Sequence, residues 1–256
     1  MRNLVVGLPC YNEEDNIGKL MTSWLSLAEQ LSSRNFYLQL IPLDDKSKDN
    51  TKQVLKEYAA AHSNIKPIFH SENKNLGGGL NSLIDYFLRE YKQGDILVIM
   101  DGDNTQLPKY IFSMLDKMEE GKDVVIASRY REGADVLGLH PIRKFLSLGA
   151  RFYYQIVLHI KGVRDYTCGY RIYRYDILQK AKKTYGCKLV ENKSFACMME
   201  VLYKLYKVGA EIGEVGFVLR YDNKEGQSKM NFKQTIKDSF ISALKIRKEL
   251  KNDDKR

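Results

Sequence analysis

Two carboxylates separated by one residue close an apolar run in Ile96-Leu97-Val98-Ile99-Met100-Asp101-Gly102-Asp103. A short run of this kind reads as a buried strand, which delivers the residues after it to the edge of a sheet. Placed there, Asp101 and Asp103 can share a divalent cation, because hard cations take carboxylate oxygens together with substrate phosphates. Asp-Gly-Asp is equally ordinary turn chemistry. On this stretch alone both readings stand.

Polar clusters follow other apolar runs in the same way. Leu4–Leu8 is strand-like and leads into Pro9-Cys10-Tyr11-Asn12-Glu13-Glu14. Phe36–Leu43 ends in Asp44-Asp45, whose carboxylates could accept hydrogen bonds from ribose hydroxyls or a base edge. Further strands are expected at Ile65–His70 and Asp123–Ala127. Between them the periodicity predicts helices over Ile17–Leu31, with Asn12 or Asp15 as N-cap, over Thr51–Ala61, near Leu80–Tyr91 and from about Pro108. Gly77-Gly78-Gly79 precedes the third of these. Glycine there lets backbone approach a ligand, and a helix N-terminus favours an anion; a flexible turn is the plainer alternative.

Strand and helix alternate with a repeat of about 30 residues, as βαβ units require. The expected fold class is therefore α/β: a Rossmann-like, doubly wound, mostly parallel sheet with helices on both faces. The first loop lacks Gly-x-Gly-x-x-Gly, which disfavours a nicotinamide dinucleotide, and it lacks the Gly-Lys-Ser/Thr of a phosphate-cradling NTPase loop. Acidic or polar clusters at three strand ends are what a nucleotide site on one edge requires.

Charge is unevenly distributed. Residues 1–128 carry 14 Lys and Arg against 18 Asp and Glu, net −4, while residues 129–256 carry 27 against 14, net +13. The basic half should face phosphate groups, a membrane surface or nucleic acid. The four cysteines, Cys10, Cys168, Cys187 and Cys197, lack metal-type spacing and are expected to be free thiols. No secretory leader is expected, and no apolar run reaches the length of a membrane span.

Two stretches combine apolar and basic residues at helical spacing. His140–Lys161 interleaves Arg143, Lys144 and Arg151 with Phe145, Leu146, Phe152, Tyr153, Ile156 and Leu158. Phe232, Ile236, Phe240 and Leu244 recur before Lys245, Arg247 and Lys248. Such helices suit a lipid interface or pack on their own domain. The division expected is 1–230 as catalytic domain and 231–256 as a basic amphipathic helix with a charged tail.

Taken together, Pro9–Glu14, Asp44–Thr51, Asn75-Leu76-Gly77 and Met100–Asp103 resemble the family 2 glycosyltransferases of GT-A fold. The second half narrows the likeness to the polyprenyl-phosphate sugar synthases of the dolichyl-phosphate mannosyltransferase type. The matching segments are Ala127-Ser128-Arg129-Tyr130, Arg143 with Ser147-Leu148-Gly149-Ala150, Asp165–Arg171, and Arg220 followed by Gly226-Gln227-Ser228-Lys229. Gly102 stands where relatives commonly have Ala, Ala127 where they have Gly, and Gln106 lies one residue beyond the usual place of a third metal-side group.

The resemblance implies a nucleotide-diphosphate sugar, UDP- or GDP-linked, as donor. It would be held by Pro9, Tyr11, Asn12, Glu13, Asp44, Asp45, Gly78, Asp101, Gly102 and Asp103. It implies Mg2+ or Mn2+ on Asp101 and Asp103, with Gln106 as a further ligand. The acceptor implied is a polyprenyl (undecaprenyl or dolichyl) phosphate, its phosphate held by Arg129, Arg143, Ser147, Arg220, Ser228 and Lys229. Asp101, Asp103, Arg129 and Asp165 form the implied catalytic set. Direct displacement at the anomeric carbon would invert its configuration. A lipid phosphate is largely dianionic at neutral pH, its second pKa being about 6, and needs cations rather than a base. A hydroxyl acceptor on a saccharide, lipid or protein would need a base, for which Asp165 or Glu200 is available. A non-enzymatic basic module binding anionic lipid or nucleic acid is the remaining rival; the carboxylate clusters argue against nucleic acid. The location implied is cytoplasmic, peripheral to the inner membrane face. A membrane-protein partner or homo-oligomer is left open.

Overall fold

The computed structural model describes residues 1–138, 141–223, 225 and 240–248; for 141–146 it describes the backbone alone. In chain order the strands are β1 (Arg2–Cys10), β2 (Phe36–Asp44), β3 (Ile68–Phe69), β4 (Ile96–Ile99), β5 (Val124–Ser128), β6 (Asp135–Leu137), β7 (Arg171–Arg174), β8 (Ile212–Gly216) and β9 (Val218–Arg220). The helices are α1 (Ile17–Leu25), α2 (Ala28–Ser33), α3 (Thr51–Ala61), α4 (Asn75–Glu90), α5 (Ile111–Glu119), α6 (Pro141–Leu158), α7 (Tyr175–Tyr185) and α8 (Cys197–Lys207).

Seven strands form one sheet in the order β3-β2-β1-β4-β7-β5-β8, with helices on both faces. Covered on both sides, its strands are continuous apolar runs: Ile96–Ile99 and Val124–Ala127 are buried throughout. All pairings in this sheet are parallel except those of β7, which runs antiparallel between β4 and β5. The expectation of a parallel βα alternation holds for β1 to β4. It misses β7, which carries the Asp165–Arg171 segment into the middle of the sheet.

Helix α1 buries Ile17, Leu20, Met21 and Trp24, one stripe at helical spacing. The helix expected over Ile17–Leu31 is two, because the Ser26 hydroxyl donates back to the Ser23 carbonyl where α1 ends. The glycine run does not stand before α4 but within its first turns. A Cβ on Gly77 would lie 2.9 Å from the Asn192 carbonyl carbon, and one on Gly78 would strike the Lys74 side chain. The close approach these glycines permit is between protein segments. Around Gly78 that neighbour is the Lys74 side chain.

Helix α6 and the helical residues 240–248 pack together. The Tyr153 and Phe240 rings lie 4.2 Å apart, and the Tyr153 hydroxyl donates to the Phe240 carbonyl at 3.0 Å. Tyr154, Val157, Leu158, Ala243 and Ile246 are buried. Leu148, Phe152 and Ile156, at successive i, i+4 positions, are 42%, 57% and 73% exposed, and Ile241 and Leu244 are also exposed. Among the described residues no helix is long and apolar enough to cross a membrane. Phe232, Ile236 and the expected boundary at 230 lie outside the described residues.

Candidate active site

The loops after β1, β2 and β4 meet at the carboxyl edge of the sheet. Asn12, Lys46, Asn75 and Asn104 there have φ of 56°, 63°, 60° and 60°. Left-handed backbone is unfavourable for residues other than glycine and persists only where the surroundings impose it. At Asn12 hydrogen bonds between loops impose it. The Asn12 N–H donates to the Ser47 hydroxyl at 2.8 Å, and the Lys48 N–H returns to the Asn12 carbonyl Oδ1 at 2.7 Å. The Glu13 N–H reaches the Thr51 hydroxyl, and the Asn50 N–H reaches Glu14. Tyr11 stays half exposed on this edge.

Asp44 and Asp45 are both buried, but they do different things. Asp44 accepts the Ser47 N–H and closes the turn. Asp45 Oδ1 takes His70 Nδ1 at 2.7 Å and the Lys74 N–H at 2.8 Å, while His70 Nε2 meets the Ser82 hydroxyl at 2.9 Å. Asp45 thus builds the approach to α4.

Asp101 and Asp103 lie where the apolar run predicts, past the end of β4. Asp103 Oδ1 accepts both the N–H and the hydroxyl of Thr105. Both amide atoms of Gln106 are turned on Asp101: Nε2 donates to Oδ2 at 2.7 Å and Oε1 accepts the Asp101 N–H at 3.2 Å. Gln106 therefore orients the Asp101 carboxylate. A Cβ on Gly169 would lie 2.8 Å from Asp101 Oδ2 and 2.9 Å from its Cγ, so the missing side chain is the room in which the carboxylate sits. At Gly102 a Cβ would lie 2.9 Å from Cys10 Sγ; in this chain the thiol fills that space. Two aspartates in such a cradle are oxygen donors that suit Mg2+ or Mn2+. Among the described residues there is no group of three or more His, Cys, Asp or Glu arranged to hold a metal, so the remaining ligands would come from substrate phosphates and water. Gly169→Ala is expected to displace Asp101 and lower turnover by 10-fold or more, about 1.4 kcal/mol of barrier, while shifting Tm little. Parallel rate and thermal-melt measurements check this.

Arg129, whose side chain is 17% exposed, pairs with fully buried Asp165. The guanidinium donates from Nε to Oδ2 at 2.8 Å and from Nη2 to Oδ1 at 2.6 Å, and the Arg129 N–H adds a third bond. Nη2 also reaches the Thr167 hydroxyl. Burial alone would raise the Asp165 carboxyl; the charge of Arg129 and the bonds it donates outweigh this and hold it below the ordinary range. Behind Asp165, Glu214 accepts the N–H groups of Arg164 and Asp165 and pairs with Arg131 at 2.7 Å. Ser147 joins the site through Tyr130, whose hydroxyl lies 2.6 Å from the serine hydroxyl. The Tyr130 ring is faced by both Arg129 and Arg151.

The Arg220 N–H donates to the Thr105 carbonyl at 2.8 Å, tying β9 to the Asp101–Asp103 loop. The Arg220 side chain pairs with exposed Asp222. Tyr221 is next in the chain. Burial raises its phenol, Arg129 lowers it, and Asp103 and Asp101 raise it further, so it shares their field. No spacing rule marks it. Glu200 accepts the N–H groups of Glu191 and Asn192 and pairs with Lys204 at 2.6 Å. It holds the loop against which Gly77 packs. Ser228, Lys229 and the Arg143 side chain lie outside the described residues.

A family model for glycosyl transferase family 2 matches residues 5–181. The chain belongs to this family. It is a glycosyltransferase, and the sheet with its carboxyl-edge loops is the GT-A fold. Polyprenol monophosphomannose synthase of Mycolicibacterium smegmatis is 28% identical over 231 residues, 90% of this chain and 81% of that protein. Dolichyl-phosphate beta-glucosyltransferase of Trichomonas vaginalis is 28% identical over 176 residues, 65% of this chain and 50% of its own length. The chain thus spans half of that second relative. Among solved structures, glucosyl-3-phosphoglycerate synthase from Mycobacterium tuberculosis superposes with a TM-score of 0.66 at 17% identity, covering 96% of this chain and 80% of that one; the likeness is one of fold. Membership of the family sets aside the reading as a non-enzymatic binding module.

Proposed function

We propose that this glycosyltransferase moves a sugar from a nucleotide-diphosphate donor to a polyprenyl phosphate. The observation that carries this reading is that neither carboxylate offered as a general base is placed to act as one. Asp165 is fully buried and held by Arg129; Glu200 is buried against Lys204 and two backbone N–H groups. An acceptor that arrives as an anion needs no base, and both relatives are named for lipid-phosphate chemistry.

In this reading Pro9, Tyr11, Asn12, Glu13, Asp44 and Asp45 hold the nucleoside end of the donor, and Gly78 belongs to the same donor site. Asp101 and Asp103 hold Mg2+ or Mn2+, which when bound offsets the charge of the leaving diphosphate. Arg129, oriented by Asp165 and Thr167, presents its remaining edge to the acceptor phosphate, with Ser147, Arg220 and, from sequence, Arg143, Ser228 and Lys229. A phosphate oxygen attacks the anomeric carbon, the bond from that carbon to the diphosphate breaks, and configuration inverts. The nucleoside diphosphate leaves with the electron pair.

The exposed stripe of Leu148, Phe152 and Ile156 on α6, with Ile241 and Leu244 beside it, suits contact with the membrane that holds such a lipid, and nearby Lys245, Arg247 and Lys248 suit an anionic leaflet. Ile156→Glu is expected to cut co-sedimentation with vesicles of phosphatidylcholine and phosphatidylserine at least threefold, leaving the melting temperature in place. Unchanged co-sedimentation would remove α6 from the membrane contact.

The test of the reaction is a donor screen with Mg2+ or Mn2+, UDP- and GDP-linked sugars, and a short-chain polyprenyl phosphate beside the matching alcohol. Glycolipid formed from the phosphate alone is the expected result. Product from the alcohol, at equal or greater rate, would move the assignment to a hydroxyl acceptor.

A further inference from the structure

Among the described residues, three buried side-chain polar atoms have no hydrogen-bond partner: Arg151 Nε, Arg171 Nε and the Tyr173 hydroxyl. The rest of the Arg171 guanidinium is held, donating to the Met198 and Tyr166 carbonyls at 2.6 and 2.8 Å. Arg151 is different. Among the described residues its guanidinium meets neither an acceptor nor a carboxylate. Its contacts are two rings: the guanidinium carbon lies 4.9 Å from the Tyr130 centroid and 5.4 Å from that of Phe152. A buried donor left unmade is costly, more so on a charged group, and such a group in a folded protein points to a ligand.

The place of Arg151 in the fold indicates the chemistry of that ligand. It follows Ser147 by four residues on α6, on the same side of the helix. Tyr130 joins the two: its hydroxyl lies 2.6 Å from the Ser147 hydroxyl, and its ring is faced by both Arg129 and Arg151. The exposed stripe of Leu148, Phe152 and Ile156 runs alongside. Charge separates Arg151 from its neighbours. Of the arginines given to the acceptor phosphate, the two with described side chains are already matched, Arg129 by Asp165 and Arg220 by Asp222. A matched arginine still donates hydrogen bonds, but the pair carries no net charge. Arg151 carries its full charge. We propose that Arg151 is a specificity-determining residue of the acceptor site, selecting a lipid phosphate in its dianionic form by the net charge that the paired arginines lack. This rests on the proposed function for the identity of the acceptor; the unmatched guanidinium does not.

Two variants separate charge from packing. Arg151→Gln removes the charge, and Arg151→Lys keeps it. Arg151→Gln is expected to raise the KM for geranyl phosphate, a short polyprenyl phosphate, about tenfold and to leave the KM for the nucleotide sugar within about twofold. Arg151→Lys should stay within about threefold of the wild type for both. A lowered melting temperature in both variants, with equal losses on donor and acceptor, would make Arg151 a packing residue and overturn the proposal. Equilibrium binding reads the site without turnover. The wild type should bind geranyl phosphate more tightly than geraniol, and its affinity should rise up to about tenfold from about pH 5 to about pH 7, as the lipid phosphate loses its second proton. In Arg151→Gln the rise should be about threefold or less, because the second negative charge then meets little net charge. The groups around Arg151 keep their own charge over that range. Burial raises the Tyr130 phenol, and Arg129 holds Asp165 low despite its burial. Glu214, whose carboxyl burial raises, lies behind Asp165 and is the same in both proteins. An equal rise in the two proteins, or unchanged affinity in Arg151→Gln, overturns the proposal. Co-sedimentation of Arg151→Gln with vesicles of phosphatidylcholine and phosphatidylserine should stay within about twofold of the wild type. A loss there, with geranyl phosphate binding intact, would make the guanidinium a headgroup contact instead. A wild type that binds geranyl phosphate through Arg151 but makes product only from geraniol upholds the anion site and overturns the lipid-phosphate acceptor.

Discussion

Asp103→Ala is expected to lower turnover by at least about a thousandfold, or roughly 4 kcal/mol of barrier, and to leave the fold in place. The two effects separate because Asp103 lies past the end of β4, outside the packed sheet. The loss to folding is the pair of bonds from the Thr105 N–H and hydroxyl, about 1–2 kcal/mol. The loss to chemistry is a charge aimed at the cation that would offset the leaving diphosphate. The measurement is the initial rate against Mn2+ concentration, beside thermal melts of both proteins. A variant that still turns over and is indifferent to Mn2+ would sink the metal assignment. A variant that melts far below the wild type would show that the loop supports the fold more than its position implies.

The second large effect is expected at Arg129. Removing one partner of a buried pair strands the other charge, which costs about 3–5 kcal/mol. Arg129→Ala leaves Asp165, fully buried, without the cation that keeps it ionised. The folded-state carboxyl of the wild type lies below its unfolded value of about 3.9. The pair's contribution is therefore fully present above that value and is lost as pH falls through the lowered folded one. The melting temperatures of wild type and Arg129→Ala should differ most at neutral pH and converge in acid. Replacing both partners with apolar residues, Arg129→Met with Asp165→Leu, should recover only part of the stability: it removes the stranded charge, but leaves the N–H groups of Arg129, Thr167 and Cys168 without the carboxylate that accepts them. It should recover none of the transfer to polyprenyl phosphate. Stability and activity that return together would make the pair purely structural.

Three polar side chains have partners within the protein that no motif foretold. Asp45, Gln106 and Glu200 carry the chemistry of site residues, and sequence spacing cannot say whether a carboxylate or amide faces a ligand or the protein. Asp45 is spent on His70 and Lys74, Gln106 on Asp101, and Glu200 on Lys204 and the 191–192 backbone. Each partner lies in a loop or helix whose approach follows from packing.

By itself, the sequence determined that strands end in acidic loops on one edge, because apolar runs and the turn residues that stop them are local features. It also determined the family, since ordered motifs survive in one dimension. Only the tertiary structure decided that β7 enters the sheet antiparallel between β4 and β5, that Asp165 meets Arg129, that Gly169 makes room for Asp101, and that Arg151 lies over the Tyr130 ring. These are pairings between residues distant in the chain. They depend on strand register and on which polar groups burial leaves needing a partner, and neither is written in the period of a segment.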